Sequence, residues 1–216
     1  MSHRSIQPKV MYFGTPVVLV STLNEDGTAN IAPMSSAWWL GPWCVLGFAS
    51  HSRTPENLLR TGECVLNLPS PGQADSVDAI ALVTGTQDVP ECKVARGYQY
   101  EPHKFERAGL TPVASEVVSP PRAQECPIQL EAVLEGSHRV GSPDAGLISV
   151  EVRIVRSHVH ESLIVAGSDT YIDPDKWDPL IMKFCEYYGY SSNVRDSELA
   201  RGWNMPKIPS SVAAAV

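Results

Sequence analysis

The first third of the chain commits it to a sheet. Residues 17–23, Val-Val-Leu-Val-Ser-Thr-Leu, are rich in β-branched side chains that fit a pleated, half-buried surface. Asn24-Glu25-Asp26-Gly27 is a turn signal, and residues 28–33 can return as the second strand of a hairpin. Pro33 has no N–H to give to a ladder, so the strand must end, bulge or lie at an edge there. Residues 43–48 and 64–68 read as two more strands, the second closed by Pro69-Ser70-Pro71-Gly72. Strand signals return at 112–114, 128–134 and 147–160, and in the last Val150, Val152 and Ile154 alternate with Glu151, Arg153 and Val155.

Helical signals are inserted among these strands. Thr54 can cap a helix, Pro55 suits its first position, Glu56 its first turn and Gly62 its stop. Ala74, Val77, Ile80 and Ala81 recur at helical spacing within 73–83, with Gly85 as a terminator. Residues 87–102 read as a long polar loop and 104–108 as one helical turn. A helix is expected over 174–187, with Trp177, Leu180, Ile181 and Phe184 on one side. Many short strands with a few helices among them imply a mainly β fold, a barrel with helical excursions. The organisation expected is an N-terminal arm (1–13), one barrel domain (14–190) and a C-terminal extension (191–216) whose end, from Ser210, frays.

The composition narrows the function classes. Hydrophobic residues make up 43% and charged residues 19% of the 216, as in a globular body. A net charge of −7 argues against a nucleic-acid partner, which calls for a basic face. No apolar run reaches the length of a membrane span, and Met1-Ser2-His3-Arg4-Ser5 does not open a signal peptide. The five cysteines (44, 64, 92, 126 and 185) are widely spaced without a CxxC pair. That suits a reducing, cytoplasmic compartment and offers neither a zinc site nor a dithiol motif.

Two segments look like binding elements. Ser50-His51-Ser52-Arg53 precedes the capped helix. Backbone N–H groups at a helix start favour anions, and an arginine adds a bidentate partner for phosphate. The segment reads either as a phosphate cradle or as an ordinary helix start with a solvated arginine. Asn30-Ile31-Ala32-Pro33-Met34-Ser35-Ser36 leaves a sheet at Pro33, which frees backbone groups and two hydroxyls for the polar edge of a planar ring, or for water in a plain loop. Trp38, Trp39 and Trp43 around Gly41-Pro42 could cover a flat ligand but on general grounds serve packing, at a barrel end or a subunit interface. His158 and His160 share a strand face without a third metal ligand at a recognisable spacing, so no metal is expected. Neither Gly-x-Ser-x-Gly nor Gly-x-Gly-x-x-Gly occurs, which argues against a nucleophile elbow and a Rossmann dinucleotide site.

In order, Asn30-x-Ala32-Pro33-x-Ser35-Ser36, Ser52-Arg53-Thr54-x-x-Asn57, Cys64-Val65-Leu66-Asn67-Leu68, the run 104–111 with its Lys-Phe and Gly-Leu-Thr, and the run 125–131 resemble the flavin reductase-like FMN-binding split-barrel family. The resemblance covers about residues 14–160. It implies a six-stranded Greek-key barrel, a homodimer, and FMN near the subunit interface. The phosphate would sit against Ser50, His51, Ser52, Arg53 and Thr54, with Asn57 bracing that loop or reaching the ribityl chain. The isoalloxazine would run beside Asn30, Ala32, Pro33, Met34, Ser35 and Ser36.

The same resemblance implies an oxidoreductase that passes a hydride from NADH or NADPH through flavin to free flavin, for a monooxygenase component, or to another small acceptor. Where many members carry Gly-Asp-His, this chain has Gly136-Ser137-His138. His138 is then either a nicotinamide contact or an exposed hairpin histidine. Residues 184–191, Phe-Cys-Glu-Tyr-Tyr-Gly-Tyr-Ser, also depart from the family's shorter ending, and the extension could cover the flavin or clasp a partner subunit. Two other functions stay open: a non-enzymatic FMN-binding electron-transfer protein similar to flavoredoxin, and a barrel recruited to other chemistry.

Overall fold

A computed structural model describes residues 2–189; the expected C-terminal extension and its tail lie outside them. In chain order the elements are β1 (Phe13–Pro16), β2 (Val18–Leu23), β3 (Ala29–Met34), β4 (Ala37–Leu40), β5 (Trp43–Ala49), α1 (Arg53–Thr61) and β6 (Glu63–Leu68). A 3-10 turn leads into α2 (Ala74–Ala79), followed by β7 (Val83–Thr84), α3 (Glu91–Val94), β8 (Gln99–Tyr100) and α4 (Lys104–Arg107). The remainder is strand apart from two 3-10 turns (Pro143–Ala145 and Glu161–Leu163): β9 (Pro112–Val113), β10 (Arg122–Ala123), β11 (Ile128–Val140), β12 (Leu147–Val159), β13 (Ile181–Lys183) and β14 (Glu186–Tyr188).

Seven strands form one antiparallel sheet in the order β3-β2-β6-β11-β12-β5-β4. Side chains alternate across a strand, and β2 is apolar on both faces. Val18 and Val20 enter the barrel interior with Cys44, Leu46, Leu66, Val150 and Val152. Val17 and Leu19 face an outer layer with Val77, Ile80, Phe105 and Leu110. Leu58 of α1 belongs to the interior cluster; the amphipathic helix is held by that contact and its nine residues would not persist alone. The fold is the split barrel that the sequence resembles. Its sheet holds one strand more than the expected six because the tryptophan segment Ala37–Leu40 pairs with β5 as an edge strand.

The first hairpin forms where expected. Gly27 takes φ 81°, and the Asp26 carboxylate accepts the Thr28 N–H at 3.0 Å. Gly62 ends α1 in the left-handed region at φ 73°, as its lack of a Cβ allows.

Four expectations need correction. The helix after β5 starts at Arg53 with Ser52 as its N-cap residue, so Thr54 does not cap it and Pro55 stands third. α2 is shorter than the 73–83 pattern, and Val83 and Thr84 leave it for a strand pair with Gln99 and Tyr100. The segment 87–102 is not wholly loop, since it contains α3 and β8. Residues 174–187 are not helical: they end in the hairpin of β13 and β14, and Phe184 and Cys185 take φ 49° and 71° in its turn. Pro174 and Pro179 remove donors that a helix would need, and the spacing of the apolar residues fits a short strand and turn as well.

Glu131 on β11 is fully buried and fastens the segment between β9 and β10. Its carboxylate accepts the N–H groups of Glu116, Val117 and Val118 at 2.8, 2.7 and 3.1 Å and meets His158 Nε2 at 2.6 Å. Burial pushes its pKa up, but the Glu116 and Val117 N–H groups, His158 and Val118 together hold it below the ordinary glutamate value of 4.5. This stabilisation is complete above that value and is lost as pH falls through the lowered one. Glu131→Gln should therefore lower stability at pH 7 by about 3 kcal/mol and flatten the acid limb of a melting-temperature profile between pH 7 and pH 3; a wild-type limb kept by the variant would contradict this role.

Candidate functional site

The N-terminal turn of α1 is where chemistry gathers. The first N–H groups of a helix have no intrahelical partner. Ser52 makes no side-chain capping bond to them, and its hydroxyl instead accepts from Lys93 Nζ at 3.1 Å. Pro55 has no N–H to leave unsatisfied, so the Arg53 and Thr54 amides remain as the positive end of the helix dipole.

Behind this turn lies a buried polar network. Asn30 of β3 donates through Nδ2 to Thr22 Oγ1 and Thr54 Oγ1, both at 3.1 Å, while its Oδ1 accepts from Lys104 Nζ at 2.9 Å. Asn57 donates to Thr22 Oγ1 at 3.2 Å and to Asn24 Oδ1 at 2.9 Å. Asn30, Thr54 and Asn57 are all buried. They bind α1 to the first hairpin, so Asn57 braces the turn rather than facing outward.

Three cations stand around the turn. Arg53 pairs with Glu56 at 3.0 Å within its own helix, an exposed contact of little net energy, and its Nε donates to the Gly85 carbonyl at 3.4 Å. Lys93 arrives from α3 and Lys104 from α4. Lys104 is only 3% exposed, and burial, followed by repulsion from Lys93 and Arg53, lowers its pKa to about 8. Burial also lowers that of Lys93. A buried ammonium repelled by neighbouring cations is stabilised by an anion placed among them. The chain with net charge −7 thus concentrates positive charge at one helix start. Gly85 is built into the wall, where a Cβ would lie 3.0 Å from Asn30 Oδ1 and 3.3 Å from Arg53 Cγ. The neighbouring Thr86 hydroxyl is buried without a hydrogen-bond partner among the described residues.

The second predicted segment borders β5. Gly47 N–H donates to the Ser36 carbonyl at 2.7 Å, and a Cβ on Gly47 would meet Ser36 Cβ at 3.0 Å, so the chain leaving β3 can cross here only over a glycine. Ser35 is buried, Ala32, Pro33 and Met34 are half-buried, and the Ser36 hydroxyl lies 3.3 Å from Tyr12 OH. Ser50 N–H donates to the Gly146 carbonyl at 2.8 Å, which ties the turn between β11 and β12 to the residues before α1; His51 is exposed beside it.

The other candidates are placed elsewhere. His138 is exposed on β11, opposite Ser149 of β12, which is in turn opposite Gly47 of β5. His158 is engaged by Glu131, and His160 Nδ1 lies 2.7 Å from Ser162 Oγ; the two do not converge. Trp39 packs against the interior cluster, while Trp38 and Trp43 are exposed. Cys44, Cys64 and Cys126 are buried thiols, and Cys92 and Cys185 are exposed. Sequence reasoning missed Lys93, Lys104, Gly85 and Thr86. The Lys-Phe pair at 104–105 was visible, but nothing local says that its ammonium turns inward to Asn30.

A family profile described as "Flavin reductase like domain" matches residues 10–189, and the chain belongs to that family. It is 43% identical over 192 residues to an uncharacterized protein, YdfE, of Bacillus subtilis, covering 88% of this chain and 91% of that one. Among solved structures, flavoredoxin of Desulfovibrio vulgaris superposes with a TM-score of 0.74 at 22% identity, covering 93% of this chain and 100% of the other. Nitrilotriacetate monooxygenase component B of Bacillus cereus gives 0.71 at 22% identity, covering 90% and 99%. At these identities the structural likeness is one of fold.

The network itself yields an expectation. Asn57→Ala leaves buried Thr22 and half-buried Asn24 short of a partner, and should cost about 2–3 kcal/mol in urea unfolding. A change under about 0.5 kcal/mol, typical of surface substitutions, would remove the bracing role.

Proposed function

We propose that this protein is an FMN-binding oxidoreductase of the flavin reductase type, which takes a hydride from NADH or NADPH and passes it to free flavin or another small acceptor. The observation that carries this reading is the cluster of Arg53, Lys93 and Lys104 at the open N-terminal turn of α1, where exposed Glu56 is the only carboxylate among the described residues that pairs with Arg53. A phosphate monoester dianion neutralises such a cluster and accepts from helix N–H groups. In this reading Ser50, His51, Ser52, Arg53 and Thr54 hold the phosphate, with Lys93 added to them. Asn30 and Asn57 support the turn from behind. Ala32, Pro33, Met34, Ser35 and Ser36 offer backbone groups and hydroxyls to the ring edge.

When bound, the flavin supplies the hydride chemistry. The protein's part is to orient it, to exclude water with the half-buried 32–36 segment, and to leave one ring face open to nicotinamide. No side-chain acid or base is needed for that transfer, so no catalytic residue is assigned; His138 would contact the nicotinamide. Trp38, Leu40 and Trp43, exposed on β4 and at the start of β5, suit burial against a second copy of the chain, as in a homodimer. A monooxygenase component as flavin acceptor is suggested by the name of the Bacillus cereus protein of like fold. One barrel domain over 14–190, with an arm and an extension, and a cytoplasmic location that keeps the five thiols free complete the reading.

A second reading, a flavin-binding electron-transfer protein similar to flavoredoxin, is favoured by Ser137 standing where an acid would be and by the exposure of His138. Anaerobic mixing of the FMN-loaded protein with NADH or NADPH separates the two. Rapid loss of the oxidised flavin absorbance is expected. A bound but unreduced flavin would select the electron-transfer reading, and failure to bind any flavin would overturn both. Arg53→Met should weaken FMN by about ten- to a hundred-fold and riboflavin hardly at all in fluorescence titrations; equal weakening would remove the phosphate role. His138→Ala should raise KM for the nicotinamide without expelling FMN, and unchanged kinetics would leave it an ordinary hairpin residue.

A further inference from the structure

The orientation of the Asn30 amide is dictated by its neighbour. Lys104 Nζ lies 2.9 Å from Asn30 Oδ1, and a charged ammonium carries donors only. The amide oxygen must therefore face Lys104, which turns the Nδ2 group to Thr22 and Thr54, each at 3.1 Å. The Thr54 oxygen then accepts from Asn30, and its own proton is left to donate elsewhere at the N-terminal turn of α1. A neutral amine can accept a hydrogen bond; the amide could then reverse, and the Thr54 hydroxyl would lose its imposed polarity.

Among the described residues Lys104 forms no ion pair. The charged groups acting on it are Arg53 of α1, Lys93 of α3 and Glu101 ahead of α4. Glu101 lies 3.7 Å from Arg107 and Glu56 3.0 Å from Arg53, so each carboxylate is shared with a guanidinium. We propose that Lys104 is the positioning residue of the phosphate cradle: acting through Asn30, its ammonium fixes the Thr54 hydroxyl as a donor, so that phosphate binding and protonation of Lys104 are coupled. This rests on the phosphate reading given above and adds a proton to it.

The free protein loses that proton as pH rises through about 8. A dianion among the cations replaces repulsion by attraction, so the complex keeps the proton to higher pH. Binding above pH 7 thus takes up a proton, and affinity for the phosphate falls with rising pH. A phosphate monoester has its second pKa near about 6, so the ligand stays dianionic throughout the window.

The test is the ratio of riboflavin to FMN dissociation constants, measured by flavin fluorescence at pH 7 and pH 9; taking the ratio cancels effects on the ring. In the wild type this preference for FMN should fall about ten-fold between the two values. Lys104→Met should show a smaller preference at pH 7 and no slope. Lys104→Arg should restore the preference without the slope, because a guanidinium does not titrate there. Lys93→Met should weaken FMN and move the slope to higher pH, because one of the cations that lowers the Lys104 pKa is gone. A wild-type preference for FMN that does not change with pH, or a slope that survives in Lys104→Met, overturns the proposal. FMN binding no tighter than riboflavin at pH 7 would sink the phosphate reading itself. Should Lys104→Met fail to fold, calorimetry of the wild type at pH 8 in two buffers of different ionisation enthalpy decides: about half a proton taken up with FMN and none with riboflavin is expected, and no difference between the ligands overturns the coupling.

Discussion

A carboxamide that is only 2% exposed must find its hydrogen bonds inside the protein, and Asn30 finds them on three other elements. Thr22 comes from the neighbouring strand, Thr54 from α1 and Lys104 from α4. Removing this one side chain would leave an ammonium and two hydroxyls short of partners, which is why the first hairpin, the helix start and the outer layer are fixed relative to one another. Asn57 repeats the arrangement one turn further along α1. The apolar core supplies most of the burial on both faces of β2, but it does not orient anything. Orientation at the helix start comes from these amides.

That orientation is bought with electrostatic tension. Lys93 and Arg53 repel Lys104 at a place where the helix dipole is also positive. Burying an ammonium without a carboxylate partner costs stability, and the fold accepts the cost at a point where backbone donors, a glycine wall and a hydroxyl without a partner among the described residues also meet. A purely structural lysine would be expected to carry its counter-ion with it. Under the proposed function the counter-ion is the ligand, and the same charges that strain the free protein hold the phosphate.

Much of this was legible in the sequence, for local reasons. The Asn24–Gly27 turn was plain because Gly27 alone relieves its positive φ, and the end of α1 because Gly62 does the same. Pro33 and the two serines after it announced a chain leaving its sheet. What could not be read were contacts made across long separations: Lys93 lies 41 residues from Ser52, and Lys104 lies 74 from Asn30. The net charge concealed their gathering. The hairpin of β13 and β14 was missed for a different reason. Phe184 and Cys185 take left-handed backbone conformations in its turn, which neither residue type advertises, and Ile181 with Leu180 and Trp177 mimics a helical stripe.

The hairpin of β11 and β12 shows how one sheet can serve two jobs. Its turn is bonded to the residues before α1 through Ser50 and Gly146, and the row Ser149, Gly47, Ser36 runs from it to the segment leaving β3. His138 sits on the far side of that row, opposite Ser149. The residues before α1, the segment leaving β3 and His138 are thus joined by backbone hydrogen bonds, which resist displacement far better than side-chain contacts do. Under the proposed function, the phosphate at the helix start and the nicotinamide contact at His138 are therefore held in one frame, so that side chains on that frame, rather than a shift of it, would set the second substrate.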